Sequence, residues 1–382
     1  MDDRLIVLEG TDALARAART LPAGVRTGLL LADEAVVAAG YADHVRDELA
    51  GVERWEVRAV APGEPTCATV DDLAAVVRSA DHPVVVAVGG GSTLDAAKQA
   101  AVVAGGRRVS DHVLGAAPLP ARTLPLVAMP TTAGTGAEVT RTCVVSDATG
   151  RKLWTWGDAL RPDVVVLDPR ATATMPRHVT AATGLDAFVH AVEAMTGRRS
   201  TAEIVRAASE AVRLVLGNLP AAVDDGTDLD VRLAMQRAAL LAGMAIDTGG
   251  TGIAHSIGHA LGTLAHVPHG VAVAVGLGAA LDWNVAGAPD AFGPLAPVAP
   301  GRPPAAIGDV YRQLVDDADL AAAVHRCGPL TLDVGEVAAT MVAPENRPMY
   351  DNNCRRADAD ERHSLAAATL TLWEALLPQA QR

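Results

Sequence analysis

Four of the chain's eleven histidines fall within fifteen residues: His255, His259, His266 and His269 of HSIGHALGTLAHVPHG. The residues around them are mostly apolar, and a hydrophobic core has no use for so many imidazoles. Neutral imidazole is the commonest transition-metal ligand. Upstream, GLDAFVHAVEA sets Asp186 and His190 four residues apart. On a helix that spacing puts both side chains on one face, within reach of one ion. A continuous helix would hold His255 and His269 ~21 Å apart at 1.5 Å per residue, too far to share that ion. Gly262 and Pro268 offer a break. A turn after Leu261 would return His269 to the site at the start of a next helix, where Pro268 suits the entry. Chemistry alone leaves two completions open, His255 with His269 or the i, i+4 pair His255 with His259. Three imidazoles and one carboxylate leave a divalent ion with net positive charge and an open position. Such an ion lowers the pKa of a bound hydroxyl and holds the resulting alkoxide, which donates hydride readily. Beside a nicotinamide, that site would oxidise an alcohol or reduce a carbonyl.

A second chemistry lies in two glycine loops. PVVVAVGGGSTLDAAK (residues 83–98) runs from an apolar strand into Gly89, Gly90 and Gly91, with a helix starting behind Ser92. Glycines let the backbone approach a phosphate, and a helix N-terminus offers N–H groups and a positive dipole end. The spacing is not GxGxxG, so taken alone it suits a pyrophosphate or a plain tight turn equally. PTTAGTGAEVT (residues 130–140) adds Thr131, Thr132 and Thr135 as hydroxyl donors after another apolar strand. Two such loops after neighbouring strands would share the carboxyl edge of one sheet, where open α/β folds bind ligands. Asp33, behind the strand TGLLLA, could accept hydrogen bonds from an adenosine ribose and repel a 2′-phosphate, favouring NAD over NADP.

The elements that must position these groups read in two halves. Thr27–Ala32, Pro83–Val88, Leu124–Met129 and Val164–Leu167 are continuous apolar runs separated by helical stretches such as Asp71–Ala80. This alternation predicts a parallel sheet covered on both faces. From Val179 onward the period is helical, with breaks expected at Gly197, at Gly217–Pro220, around Asp224–Asp228 and at Pro297–Pro304. The expected organisation is a Rossmann-like α/β dinucleotide-binding domain over 1–176 and an all-α metal and substrate domain over 177–382. Gly287–Pro304 reads as a surface loop.

The motifs GGGSTLDAAK, PTTAGTGAEVT, GLDAFVHAVEA and HSIGHALGTLAHVPHG together resemble the iron-containing, group III alcohol dehydrogenases in order and separation. With Asp33 they span residues 33 to 270. The resemblance implies the dehydroquinate synthase-like architecture, with Asp186, His190, His255 and His269 as metal ligands, iron(II) first and zinc(II) as the alternative. It implies that His259 lies near nicotinamide and substrate and relays the alcohol proton. It assigns the NAD pyrophosphate to Gly89, Gly90, Gly91 and Ser92, with Asp95 in the same motif. Thr131, Thr132 and Thr135 fall to the nicotinamide ribose side, and Lys152 to a cofactor contact. Homo-oligomers are the habit of the family. Two departures stand out: Glu64-Pro65-Thr66 where members commonly carry Asn-Pro-Thr, and the tail APENRPMYDNNCRRAD (residues 343–358). That tail is similar to those of phosphonoacetaldehyde reductases, in which Arg347, Asn352, Asn353 and Arg355 would face an anionic substrate.

Composition narrows the partners. A formal net charge of −13 with no dense Lys/Arg run argues against nucleic acid and anionic membranes. The four cysteines are scattered without a CxxC pair, so a disulfide framework or Cys-based zinc site is not expected, and they read as buried thiols. The acidic opening MDDRLIVLEG lacks the features of a signal peptide, and no uninterrupted apolar run reaches the ~18–20 residues of a membrane span. The expectation is a soluble cytoplasmic enzyme acting on a small alcohol, aldehyde or hydroxy acid. Alternative outcomes are oxidative decarboxylation of a β-hydroxy acid, including the C-terminal threonine of a daptide-type peptide, a phosphonoacetaldehyde-type reduction, and a dehydroquinate synthase-like lyase reaction.

Overall fold

Strands built wholly of Val, Leu and Ala are stable only where both faces are covered, and the first part of the chain folds that way. The structure, a computed structural model, describes residues 5–80, 83–298 and 306–378. The chain divides into two compact units, Met1–Thr174 and Met175–Arg382.

The first unit is a six-stranded sheet with a separate hairpin. Its strands are β1 (Ile6–Glu9), β2 (Thr27–Asp33), β3 (Arg54–Val60), β4 (Pro83–Gly89), β5 (Leu126–Pro130) and β8 (Val164–Leu167). They run in the order β1-β8-β5-β4-β2-β3, and every pair is parallel. The remaining strands, β6 (Thr142–Ser146) and β7 (Lys152–Trp156), pair antiparallel. Alternate residues of the central strands β2, β4 and β5 feed two cores. Leu29, Leu31, Val85, Ala87, Leu126 and Ala128 pack with helices α1 (Cys67–Ser79) and α2 (Gly91–Val103) on one face. Leu30, Ala32, Val84, Val86, Val127 and Val164 pack with Leu14, Val45 and Leu49 on the other. Thr66 caps α1 through its side chain, which accepts the Thr69 N–H. Strands β3, β6 and β7 escaped the apolar-run reading because they alternate: Arg54, Glu56 and Arg58 punctuate β3.

Strand order decides where a ligand can enter. The chain places β3 on one side of β2 and β4 on the other, so its direction of build-up reverses between β2 and β4. The crevice beyond the carboxyl ends of such strands is the binding position of open α/β sheets. Those two ends carry Asp33 and Gly89.

The second unit is all helical among the described residues. Five helices build its centre: α3 (Arg177–Thr196), α4 (Ala202–Asp224), α5 (Leu229–Gly249), α6 (Ile253–Ala265) and α7 (His269–Gly287). A further helix, α8 (Ala359–Leu376), packs on α7. Three expectations need correcting here. No break occurs at Gly217–Pro220: α4 continues to Asp224 with Pro220 inside it, because Leu219, Ala222 and Val223 carry its buried face onward. The chain does not turn after Leu261; α6 runs to Ala265 and ends at His266, which takes a left-handed φ of 53°, and Pro268 stands just before α7. The stretch after α7 is not a bare surface loop, since a 3-10 segment over Pro289–Val298 buries Phe292 and Leu295; residues 299–305 lie outside the described residues. Helix α7 is also long and apolar enough to cross a membrane by length and composition. Here it is packed among α3, α6 and α8. The cysteines carry no disulfide, and only Cys143 is fully buried.

Candidate active site

Helix α3 is buried along almost its whole length, so any ionisable residue in its buried part needs a reason. Asp186 and His190 sit one turn apart on it, 1% and 4% exposed. His255 comes from the first turn of α6 and His269 opens α7. Asp186 Oδ1 is 3.6 Å from His190 Nε2, 3.8 Å from His255 Nε2 and 3.7 Å from His269 Nε2. One donor atom from each of the four residues lies within 4.8 Å of all the others. Of the two completions open on spacing alone, the structure brings His269 rather than His259 into the quartet. His259, one turn further along α6, stands edge-on to His269 with ring centroids 5.5 Å apart. His266, at the turn, is outside the quartet.

A fifth residue organises this cluster, and the sequence reading passed over it. Glu193 follows Asp186 by seven residues, so it lies two turns along the same face of α3. It is 4% exposed. Its Oε2 accepts from the Gly252 N–H (2.8 Å) and meets His255 Nδ1 at 2.6 Å, and its Oε1 accepts from the Ala254 N–H (2.6 Å). The carboxylate thus holds the N-terminus of α6 and one ring nitrogen of His255 at once, leaving Nε2 turned to Asp186. Burial pushes the Glu193 carboxyl up to about 7, against the pull of the Gly252 and Ala254 N–H groups. Burial and the neighbouring His190 push the His255 imidazole down to about 3. A carboxylate behind a neutral imidazole is the usual support of a metal-binding histidine.

In the first unit, β4 ends at Gly89 and α2 begins at Gly91. The first N–H groups of a helix have no acceptor within it, which is the basis for anion binding at such a turn. The glycines are needed for a reason visible in the packing. A Cβ on Gly91 would lie 2.7 Å from Thr135 Cγ2, and one on Gly89 would lie 2.7 Å from Thr93 Cβ. The second loop therefore rests directly on the first, and Thr131 N–H donates to the Gly89 carbonyl (3.0 Å). Ser92 is exposed, with Thr131, Thr132 and Thr135 half-buried beside it.

Three residues expected at the nucleotide have partners within the protein. Asp33 accepts from the Gly90 N–H (2.9 Å) and from the Thr93 hydroxyl, and burial raises its pKa. Lys152 is paired with Glu64 at 2.6 Å, and the Ser146 hydroxyl donates to the same carboxylate. The acid that replaces the family's asparagine thus grips the lysine. Asp95 points into the interior, with Oδ2 accepting from the Val144 N–H (2.8 Å) and Oδ1 3.5 Å from the Lys98 ammonium. Lys98, fully buried, also donates to the carbonyls of Ala137 (2.7 Å) and Thr142 (3.3 Å). Asp95 and Lys98 therefore fasten α2 to the second loop and to β6.

The tail residues expected to face an anion do not gather into a cationic pocket. Arg347 pairs with Asp351 at the surface. Arg355 lies 4.0 Å over the Trp283 ring and pairs with Glu361. Asn352 and Asn353 are buried and hydrogen-bonded to other parts of the second unit.

With this geometry in place, comparison with known proteins is decisive for the family. The model of the iron-containing alcohol dehydrogenases matches residues 6–169, and that of the C-terminal region of the same family matches residues 180–339. This chain is an iron-containing alcohol dehydrogenase family member. Among similar proteins, the sulfoacetaldehyde reductase of Bilophila wadsworthia is 31% identical over 84% of this chain and 85% of its own length. The probable alcohol dehydrogenase EutG of Escherichia coli is 39% identical over 58% of this chain, a match that spans 56% of its own length. A solved 1,3-propanediol oxidoreductase, 29% identical, superposes with a TM-score of 0.84 over 95% of this chain and 97% of its own. The fold expected from the motifs, a Rossmann-like domain followed by an all-helical one, is the fold of this family.

The donor set fits the metal that the family name carries. A tetrahedral divalent ion bound by nitrogen and oxygen at ~2.1 Å sets its ligand atoms ~3.4 Å apart. The three distances from Asp186, 3.6 to 3.8 Å, exceed that by only a few tenths. Asp186 Oδ1 and His255 Nε2 are buried with no hydrogen-bond partner, and such orphaned atoms call for an explanation. A shared cation explains both.

Proposed function

We propose that the chain is an NAD-linked, metal-dependent oxidoreductase that interconverts a small alcohol with its aldehyde or ketone. The observation that carries this is the quartet of donor atoms within 4.8 Å, two of them buried and without another partner. Asp186, His190, His255 and His269 would hold the metal, iron(II) or zinc(II). When bound, the cation supplies Lewis-acid stabilisation of negative charge on a substrate oxygen.

The chain's own residues do the rest. Glu193 accepts the Nδ1 proton of His255 and so keeps the Nε2 lone pair aimed into the quartet. His259, half-buried beside His269, is the group placed to take up and release the hydroxyl proton. In the first unit, the glycine turn and the N-terminus of α2 bind the pyrophosphate. Thr131, Thr132 and Thr135 supply hydroxyls to the nicotinamide half. Asp33 supplies a carboxylate for the adenosine ribose, exchanging its bonds to Gly90 and Thr93 for the ribose hydroxyls. The family relatives named for an alcohol and an aldehyde support a small substrate of that kind.

The test is NADH absorbance with metal-reconstituted protein across a panel of alcohols, β-hydroxy acids and phosphonate alcohols, with product masses recorded. A His269→Ala variant runs beside it, with bound metal measured in both. The expected result is stoichiometric metal and turnover in the wild type, both lost in the variant. Product formation without any change in NADH would replace this reading with redox-neutral chemistry, and loss of CO2 would identify a β-hydroxy acid as the substrate. Absence of metal uptake would overturn it.

A further inference from the structure

The ligands of the quartet come from three separate helices, α3, α6 and α7. Four donor atoms can bind one ion tightly only if those helices hold a fixed spacing, and tenths of an ångström matter in such a site. Two consecutive residues of the tail, Asn352 and Asn353, make bonds to segments adjoining all three.

Asn352 joins the end of α3 to the entrance of α6. Its carbonyl accepts from the Arg198 N–H (2.8 Å) and its Oδ1 from the Arg199 N–H (3.2 Å), just beyond α3. Its Nδ2 donates to the carbonyls of Gly249 (2.8 Å), the last residue of α5, and Thr251 (2.9 Å), in the link to α6. Asn353 joins α6 to α7. Its Oδ1 accepts from the Ile253 N–H (3.3 Å) in the first turn of α6, and its Nδ2 donates to Asn284 Oδ1 (2.8 Å) on α7 and to the Arg355 carbonyl (2.7 Å). Its own carbonyl accepts from Arg198 Nε (2.8 Å).

Both asparagines are 4% exposed, and the backbone comes close to meet them. A Cβ on Gly197 would lie 2.9 Å from Asn352 Nδ2, and one on Gly252 would lie 3.0 Å from Asn353 Oδ1. Arg355 fixes the next turn of the tail by stacking on Trp283 of α7 and donating to its carbonyl (2.8 Å). Glu193 and Asn353 share the entrance of α6: Glu193 takes the N–H groups of Gly252 and Ala254, Asn353 the one between them.

We propose that Asn352 and Asn353 are positioning residues that set the spacing of the ligand-bearing helices, and through it the affinity of the quartet for a divalent cation. The inference rests on the metal-binding reading above. Buried polar networks of this kind rigidify when every member is satisfied. Truncating Asn353 leaves the Ile253 N–H without its acceptor two residues before His255 and cuts the tie to α7.

The experiment is the affinity of the metal-stripped full chain for zinc(II), by competition with a chromophoric chelator, alongside the thermal midpoint of the stripped protein. Asn352→Ala and Asn353→Ala are compared with Asn346→Ala. That control removes a buried tail asparagine whose Nδ2 donates to the Thr340 carbonyl, a bond within the tail that ties no ligand-bearing helix to another. The expected result is zinc affinity weakened by about tenfold or more in the first two, in the range typical for loss of a group behind a ligand, with the control unchanged. Should Asn353→Ala fail to fold, Asn284→Ala cuts the same tie from α7 and should weaken zinc in the same direction. Wild-type protein that binds zinc, with Asn352→Ala and Asn353→Ala binding it no more weakly than Asn346→Ala, would overturn the positioning role alone. Wild-type protein that takes up no zinc would remove the metal site itself.

Discussion

Replacing Glu193 by glutamine tests the support of the metal site with the smallest change in shape. The carboxylate accepts three hydrogen bonds on two oxygens, from Gly252, Ala254 and His255. An amide has one acceptor end and one donor end, so it can satisfy only one side. With its oxygen toward Gly252 and His255, the NH2 group confronts one donor, the Ala254 N–H. Turned the other way, it confronts two, and His255 must move its proton to Nε2, the atom aimed at the metal. The first orientation strands fewer groups and should win. One buried donor left unsatisfied costs about 1–3 kcal/mol, which for a unit of this size lowers Tm by roughly 2–12 °C. Zinc affinity should fall by about 10- to 100-fold, because a neutral amide supports the imidazole less than a carboxylate does. Calorimetry on the stripped protein and chelator competition read the two effects separately. A Glu193→Gln protein with wild-type Tm and wild-type zinc affinity would refute the argument that this carboxylate holds α6 and orients His255.

Two further expectations concern the first unit. In Gly91→Ala the new methyl would press on Thr135, whose Cγ2 lies 2.7 Å from its position. The KM for NAD should rise about tenfold with kcat changing less, and Thr135→Ser in the same protein should recover part of the loss in steady-state kinetics. Glu138 is fully buried with its carboxyl pushed up to about 7, above an unfolded value near 4.5. Native protein therefore holds more protons than unfolded protein between those values, so this residue lowers stability as pH rises from about 4.5 to 7, by roughly 3 kcal/mol in all. Urea midpoints at pH 5 and pH 8 should fall less with rising pH in Glu138→Gln than in the wild type; equal slopes would count against the raised value.

What could be read before folding was whatever has a local signature. Val164–Leu167 reads as a strand because all four residues are apolar, and Asp186 with His190 reads as a pair because four residues make about one turn. The quartet itself needed the third dimension: spacing could not choose between His259 and His269, and the turn that decides it falls at His266 rather than at Gly262. Glu193 was within reach of the same periodicity, seven residues after Asp186, but an acid in an apolar helix does not announce its partner. Asn352 and Asn353 read as polar tail residues that would face an anionic substrate. Their partners lie up to 155 residues away in sequence, and no local pattern carries that information. Lys152 and Glu64 were each noticed alone, while their pairing depends on the register of the β6–β7 hairpin beside the loop after β3.

Strand β1 has a consequence for how the protein is made. Among the described residues, Ile6–Glu9 pairs with Val164–Leu167 and with no other strand. Its partner emerges from the ribosome about 160 residues later, which at roughly 5–20 residues per second is a wait of about 8–30 s. Strands β2 to β5 can join meanwhile from one continuous stretch of chain, but the β5 edge and the β1 segment both stay open until β8 arrives to sit between them. A nascent chain stalled before Val164 would expose two unpaired strand edges, the feature that invites association with other chains. Of this sheet's six strands, the one synthesised first is among the last to be secured.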